Sequence, residues 1–259
     1  MKIVIIGTGN AATILGRKFL QAGHSILQVV GRKAVETKKL ADEWKTSSTN
    51  NWQEINGNAD VYIIAISDHA IEEIVLQLSL EGKIVAHTAA SVSKEVLSPV
   101  TAHYGIFYPL QSLRKEMTEL PEIPVLFDGS DEQTKNILKE LARSVSGDKV
   151  KKAGDEDRQK IHVAAVIVNN FTNHLFAVAE EYCKKENLDF KLLLPLIKET
   201  ASRIKDVSPS NAQTGPAIRH DEETIKKHMA ILESHPEIKK LYLFLSESIV
   251  AKNQKGDKQ

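Results

Sequence analysis

A single cysteine, Cys183, stands among 259 residues. That excludes an internal disulfide and any site built from several thiolates, and it fits a reducing compartment. Excess charge of one sign is missing too: 34 Lys and Arg balance 34 Asp and Glu. Each half of the chain is itself close to neutral, so nothing in the composition marks a nucleic-acid binder. Long hydrophobic runs are absent; residues 163–168, a run that no other exceeds, stop at Asn169, far short of the ~20 residues that span a bilayer. The apolar stretch at the start is too short for a secretory signal. The expectation is therefore a cytoplasmic protein with no membrane or nucleic-acid partner. The nine histidines contain no His-x-x-x-His pair, so no metal site is expected.

What is present is a globular balance of 42% hydrophobic and 26% charged residues, at a length that favours two domains. Up to about residue 130, short β-rich apolar runs alternate with helical stretches, the pattern of parallel βαβ units. Strands are expected at 2–6, 25–30, 61–66, 83–86, 106–108 and 124–127, with a weak one near 46–48. Helices are expected at 11–21, 34–44 and 70–78, the last capped by Asp68. After Gly147 the strand signal fades, and Asp155-Glu156-Asp157 opens a helix that can run to about Lys185. Its middle is apolar nearly all round and needs cover on more than one side. The fold class read from this is α/β: a Rossmann-type parallel sheet domain over residues 1–150, then an all-helical domain over 151–259 for substrate binding and dimerisation.

The strongest local signal is Gly7-Thr8-Gly9-Asn10-Ala11-Ala12, a G-x-G-x-x-A that directly follows an apolar strand and opens a helix. Gly7 permits the tight turn, Gly9 lets backbone approach a pyrophosphate, and Ala12 is small enough for close helix packing. The free amides of the first helical turn then face the phosphates. Where an NAD site carries an acid at the end of the second strand, this chain has Gly31-Arg32-Lys33. Two cations and no carboxylate favour the 2′-phosphate of NADP. Ser67 and Asp68, after the strand at 61–66, complete the expected cofactor-binding set.

These stretches resemble the pyrroline-5-carboxylate reductase and deazaflavin-dependent NADP oxidoreductase group, within the 6-phosphogluconate dehydrogenase-like superfamily. Across nearly the whole chain the resemblance narrows to bacterial Rossmann-like proteins with a dedicated helical C-terminal domain. It is carried by residues 2–12, 29–32, 66–71, 87–91, 107–112, 157–170 and 214–219, and it implies NADP-linked reduction. Two departures stand out. Ala89-Ala90 replaces the Ser-Gly that usually follows His-Thr, and Lys160 has no Asn four residues on, so the superfamily's Lys-x-x-x-Asn assigns no catalytic role here.

Reduction of C=O or C=N requires a hydride from the cofactor and a proton at the heteroatom. His87, at a strand end, and His162, on the long helix, are the candidate donors. Asn169 lies about two turns from His162 on the same helical face and joins them as a catalytic candidate. Gln111 and Arg219 are the candidate substrate contacts, Arg219 for a carboxylate; a loop-stabilising amide and a solvated guanidinium are the bland alternatives. Cys183 reads as a packing thiol. The function expected is NADPH-dependent reduction of a small oxo- or imino-acid in a homodimer formed through the helical domain. The competing readings are a non-catalytic NADP-binding redox sensor and a deazaflavin- or flavin-linked oxidoreductase. The last needs a flat aromatic cleft, and aromatics are 5% of the chain.

Overall fold

The computed structural model describes residues 1–256. Residues 1–171 pack as one unit, and a second begins at Thr172. In the first, β1 (Lys2–Ile6), α1 (Asn10–Gln21), β2 (Ser25–Val30), α2 (Ala34–Trp44), β3 (Ser47–Thr49) and β4 (Val61–Ile64) follow the expected alternation. They continue as α3 (Ile71–Val75), β5 (Ile84–His87), β6 (Tyr104–Pro109), β7 (Val125–Gly129), α4 (Glu132–Ser146) and β8 (Val150–Lys152). The sheet runs β3-β2-β1-β4-β5-β6-β7-β8. Every pairing is parallel except β6 with β7, which is antiparallel with Phe107 opposite Phe127.

Strand alternation divides the core between the two faces. Ile3 and Ile5 pack with Ala12, Leu15 and Phe19 of α1, whereas Val4 and Ile6 pack with Ile71 and Ile74 of α3. Close approach of α2 to α1 rests on Gly16: a Cβ there would sit 2.1 Å from the Trp44 ring.

Three local expectations change. The segment after β4 starts as a 3-10 turn, Asp68–Ala70, and α3 ends at Val75. Ser67 occupies the cap position and Asp68 lies inside the turn without a capping bond. Strand β8 lies outside the expected set, because Val-Lys-Lys at a sheet edge directs only one apolar side chain inward. Because β6 and β7 are antiparallel, the 110–124 connection leaves and rejoins the sheet at the edge where β1, β4 and β5 also have their carboxyl ends.

After β8 come α5 (Asp155–Ala165) and a π-helical turn, Val166–Phe171. The second unit holds α6 (Thr172–Lys185), α7 (Leu194–Arg203), α8 (Glu222–Ile231) and α9 (Pro236–Gly256). Asp221 caps α8 by accepting the Thr224 amide proton. The helical run Asp155–Lys185 contains an 18-residue window of mean hydropathy 1.3, which by length and composition alone meets the requirement for crossing a bilayer. No uninterrupted apolar run produces this; alanines and asparagines interleave with the aliphatic residues. None of that window is buried, and Val168 and Phe171 are 71% and 59% exposed. Within the first unit, Ile161 is the residue of this run that packs against the core cluster of Ile106, Tyr108 and Leu126.

Candidate functional site

At the centre of the sheet the chain order reverses between β1 and β4, and the crevice beyond their carboxyl ends is where an open α/β sheet binds its ligand. A cavity of about 340 Å³ lies there. One side is the loop Gly7-Thr8-Gly9-Asn10-Ala11, another is Gly31-Arg32-Lys33 at the end of β2, and a third is Ala65, Ile66 and Ser67 at the end of β4. Gly7 has φ +131°, and a Cβ on it would lie 2.1 Å from the Ala65 carbonyl oxygen. Only glycine fits. Gly9 differs: a Cβ there would meet no protein atom within 4 Å. What a side chain at position 9 would obstruct is the cavity itself, as required where backbone must approach a pyrophosphate.

Helix α1 begins at Asn10 with Gly9 as its cap residue, no capping side chain and no acid in its first turn. Its first amides therefore remain available to an anion. Arg32 and Lys33 are exposed on the rim, and no carboxylate is among the residues that line the cavity. This donor set fits a dinucleotide with a phosphorylated adenosine.

The cavity gathers Gly7, Thr8, Gly9, Asn10, Ala11, Arg32, Lys33 and Ser67 of the expected set. Ala12 is wholly buried in the core against β1, so its part is packing rather than contact. Asp68 does not line the cavity. Asn10 also braces the neighbouring loop, since its Oδ1 accepts the Lys115 amide proton at 3.1 Å. Arg17 donates to the Lys115 carbonyl at 2.9 Å while it is paired with Glu43. The 110–124 connection is thus tied to α1 beside the glycine loop.

A second cavity, about 520 Å³, is lined by Tyr108, Leu110, Gln111 and Ser112 after β6, and by Ile161, His162, Ala164, Ala165, Val168, Asn169 and Asn170 of the helical run. His162 and Asn169 meet there as their spacing predicts. Asn169 and Asn170 are exposed, so the desolvation cost expected for amides in an apolar helix does not arise within this chain. Tyr108, within the stretch 107–112 that carries the resemblance, is the polar residue engaged with His162: its Oη lies 2.9 Å from Nδ1, and the two rings meet edge to face. Burial, with a further push from Asp68, raises the Tyr108 phenol above its ordinary value, so it stays protonated at neutral pH. A buried tyrosine needs a partner for its hydroxyl; that requirement was the available signal.

Gln111 lines this cavity, yet its amide is spent on its own loop. Nε2 donates to the Glu122 carbonyl at 3.0 Å, and Oε1 accepts from Ser112 at 2.9 Å. Arg219 is exposed in the second unit.

His87 lines neither cavity and is not placed to act as the expected proton donor. Its side chain is fully buried. Nδ1 accepts the Ala89 amide proton at 3.2 Å and Nε2 faces the Ser93 carbonyl at 3.3 Å. Burial lowers its pKa to about 4, opposed by the Ser93 carbonyl and assisted by Arg158. A neutral ring with both nitrogens engaged fixes the turn after β5.

Arg158, which the sequence did not single out, is completely buried beside this turn. It donates from Nε to the Ala90 carbonyl at 2.9 Å, to the Val92 carbonyl, and from Nη1 to Asp155 at 2.7 Å. Burial opposes ionisation of Asp155, but hydrogen bonds from Ser93 and Arg158 outweigh it and hold the carboxyl below its usual range. A guanidinium can be buried when its donors are matched in this way. The effect is to clamp the start of α5, and with it His162, to the 89–93 turn.

A family model described as NADP oxidoreductase, coenzyme F420-dependent, matches residues 2–91. One for a domain of unknown function, DUF2520, matches residues 123–249. A solved structure of a candidate NADP oxidoreductase from Bacteroides fragilis is 38% identical, covers 96% of this chain and 98% of its own, and superposes with a TM-score of 0.87. Two more distant structures share the fold. A protein from Thermotoga maritima is 21% identical with a TM-score of 0.72, over 97% of this chain and 99% of its own. A 1-pyrroline-5-carboxylate reductase from Streptococcus pyogenes is 14% identical with a TM-score of 0.66, over 97% and 98%. No curated protein matches the chain. The chain belongs to this family of NADP oxidoreductases, in which the oxidoreductase domain is joined to DUF2520, and it is an oxidoreductase that binds NADP(H).

Proposed function

We propose that the protein reduces the C=N or C=O group of a small imino- or oxo-acid, with His162 as the proton donor. The observation that carries this reading is the Tyr108–His162 pair in the wall of the second cavity. NADPH, when bound, supplies the hydride to the carbon of the double bond. The heteroatom, as it gains charge, takes the proton from Nε2 of a protonated His162, whose Nδ1–H donates to Tyr108 Oη. Loss of the proton leaves a neutral imidazole that is recharged from water, and the phenol keeps its own proton throughout. Asn169, on the same wall, orients the heteroatom. Arg32 and Lys33 hold the 2′-phosphate.

The proposed assembly is a homodimer in the cytoplasm, without membrane or nucleic acid. A second copy covers the apolar residues that the helical run leaves exposed. Removing such surface from water contributes about 25 cal/mol per Å², and Arg158 anchors the start of the same run into the sheet unit. Light scattering that gives a monomer mass would overturn the dimer.

The reaction is tested by NADPH consumption over a panel of cyclic imino-acids and 2-oxo-acids. Turnover of at least one supports the proposal; tight NADPH binding with no consumption supports a redox sensor. A deazaflavin belongs in the same panel, because the matched oxidoreductase family is described as coenzyme F420-dependent.

A further inference from the structure

We propose that Trp52 is the platform on which the adenine ring of NADP(H) stacks, and that the buried amide of Gln28 is its positioning residue. The inference rests on the reading of Arg32 as the 2′-phosphate contact. In a 2′-phosphorylated adenosine the base and the phosphate sit on adjacent ribose carbons. The base must therefore lie beside the cations that hold the phosphate. Trp52 lines the same cavity as Arg32 and Lys33, and is the aromatic side chain among its described lining residues; Ala70 and Ile74 continue the apolar wall.

Trp52 is half-buried, packed on one side against the core layer that contains Ile71 and Ile74, and open to the cavity on another. A residue serving the core alone gains nothing from the open side. A purine, in contrast, gains stacking and apolar burial there.

The turn that carries Trp52 is held at several points. Asn51 caps the 3-10 turn Trp52–Glu54 by accepting the Gln53 amide proton at 3.1 Å. Its amide nitrogen donates to Glu54 Oε1, whose other oxygen accepts from Thr49 Oγ1 at 3.0 Å. Gln28, buried in β2, then spans the turn: Nε2 donates to the Glu54 carbonyl at 3.1 Å and Oε1 accepts from the Asn56 amide at 2.8 Å. A buried strand position ordinarily takes an aliphatic residue; an amide there is costly unless both ends are bonded. Here both are bonded to the one segment that presents Trp52, so the indole is in place before a ligand arrives and loses little freedom on binding.

The test uses adenosine 2′,5′-bisphosphate, which carries the adenine end of the cofactor and no nicotinamide, titrated calorimetrically into the full chain. Trp52→Ala is expected to weaken it roughly 5- to 100-fold, the range for loss of one base-stacking aromatic. Trp52→Phe should lose only a few-fold, and Gln28→Leu should lose affinity with the indole still present. In a Trp44→Phe background, where Trp52 is the remaining indole, saturating bisphosphate should quench its emission. This measurement needs no truncation at position 52. Wild-type affinity in folded Trp52→Ala, or unchanged emission at saturation, overturns the assignment of Trp52 and leaves the cofactor in place. Failure of the unaltered protein to bind either the bisphosphate or NADPH overturns the cofactor reading itself.

Discussion

Tyr108 Oη and His162 Nδ1, 2.9 Å apart, join the carboxyl end of β6 to helix α5 across the wall of a cavity. Because one ring nitrogen of His162 is held by the phenol, the other is left to serve the cavity. Replacing His162 by Ala is expected to lower kcat on a responsive substrate by about 100-fold or more, the usual scale for a lost general acid, with NADPH affinity nearly unchanged. Tyr108→Phe, which keeps the ring and removes the hydrogen bond, should cost about tenfold. Stopped-flow NADPH oxidation together with calorimetry of NADPH separates the two effects, and unaltered turnover in His162→Ala removes that residue from the mechanism.

Two glycines of the same loop should fail differently. Gly7→Ala places a Cβ against the Ala65 carbonyl at a positive φ and should destabilise the fold by about 2 to 4 kcal/mol. Gly9→Ala meets no protein atom, so its melting temperature should stay near that of the parent while NADPH affinity falls tenfold or more. Thermal unfolding and calorimetry on both variants check the contrast.

Arg32→Asp tests cofactor choice. Loss of a charge-assisted contact worth about 1.5 to 3 kcal/mol should weaken NADPH roughly 10- to 100-fold. NADH, which lacks the phosphate, should change little. Equal losses for the two nucleotides would remove the selective role of this guanidinium.

The buried His87 makes stability depend on pH. Its folded pKa of about 4 lies below the ordinary 6.5, so between those values the unfolded chain binds a proton that the folded chain refuses. Stability therefore falls as pH drops through this window, by about 2 kcal/mol between about pH 7.5 and about pH 5. His87→Gln should lose that part of the slope, leaving the carboxylate contribution. Urea unfolding of both proteins at the two pH values reads the difference directly.

Much of the sheet unit was legible because its signals are local. Alternation in Lys2–Ile6, the glycines that follow, and the charges after β2 each report on chemistry within a few residues. The second cavity was harder to read. Its two walls are 54 residues apart in sequence, and nothing local in Tyr108 names His162 as its partner. His87 looked like a donor because strand ends open onto sites; only three-dimensional enclosure by Ser93, Ala89 and Arg158 removes it. Arg158 is hidden from a sequence reading because a guanidinium in a charged first helical turn looks solvated. Its burial depends on the backbone carbonyls of a loop far away in the chain.

The π-helical turn Val166–Phe171 has a consequence for what the helix can display. It carries Val168, Asn169 and Asn170 in the wall of one cavity, as α5 carries Ile161, His162, Ala164 and Ala165. A π-helical turn closes its hydrogen bonds one residue further along than an α-helical one, so it sets how the asparagines are rotated relative to His162. Excising one residue from that turn would restore the tighter winding and rotate both amides relative to His162. The extra residue thus works as a rotational setting, legible as geometry but invisible as composition.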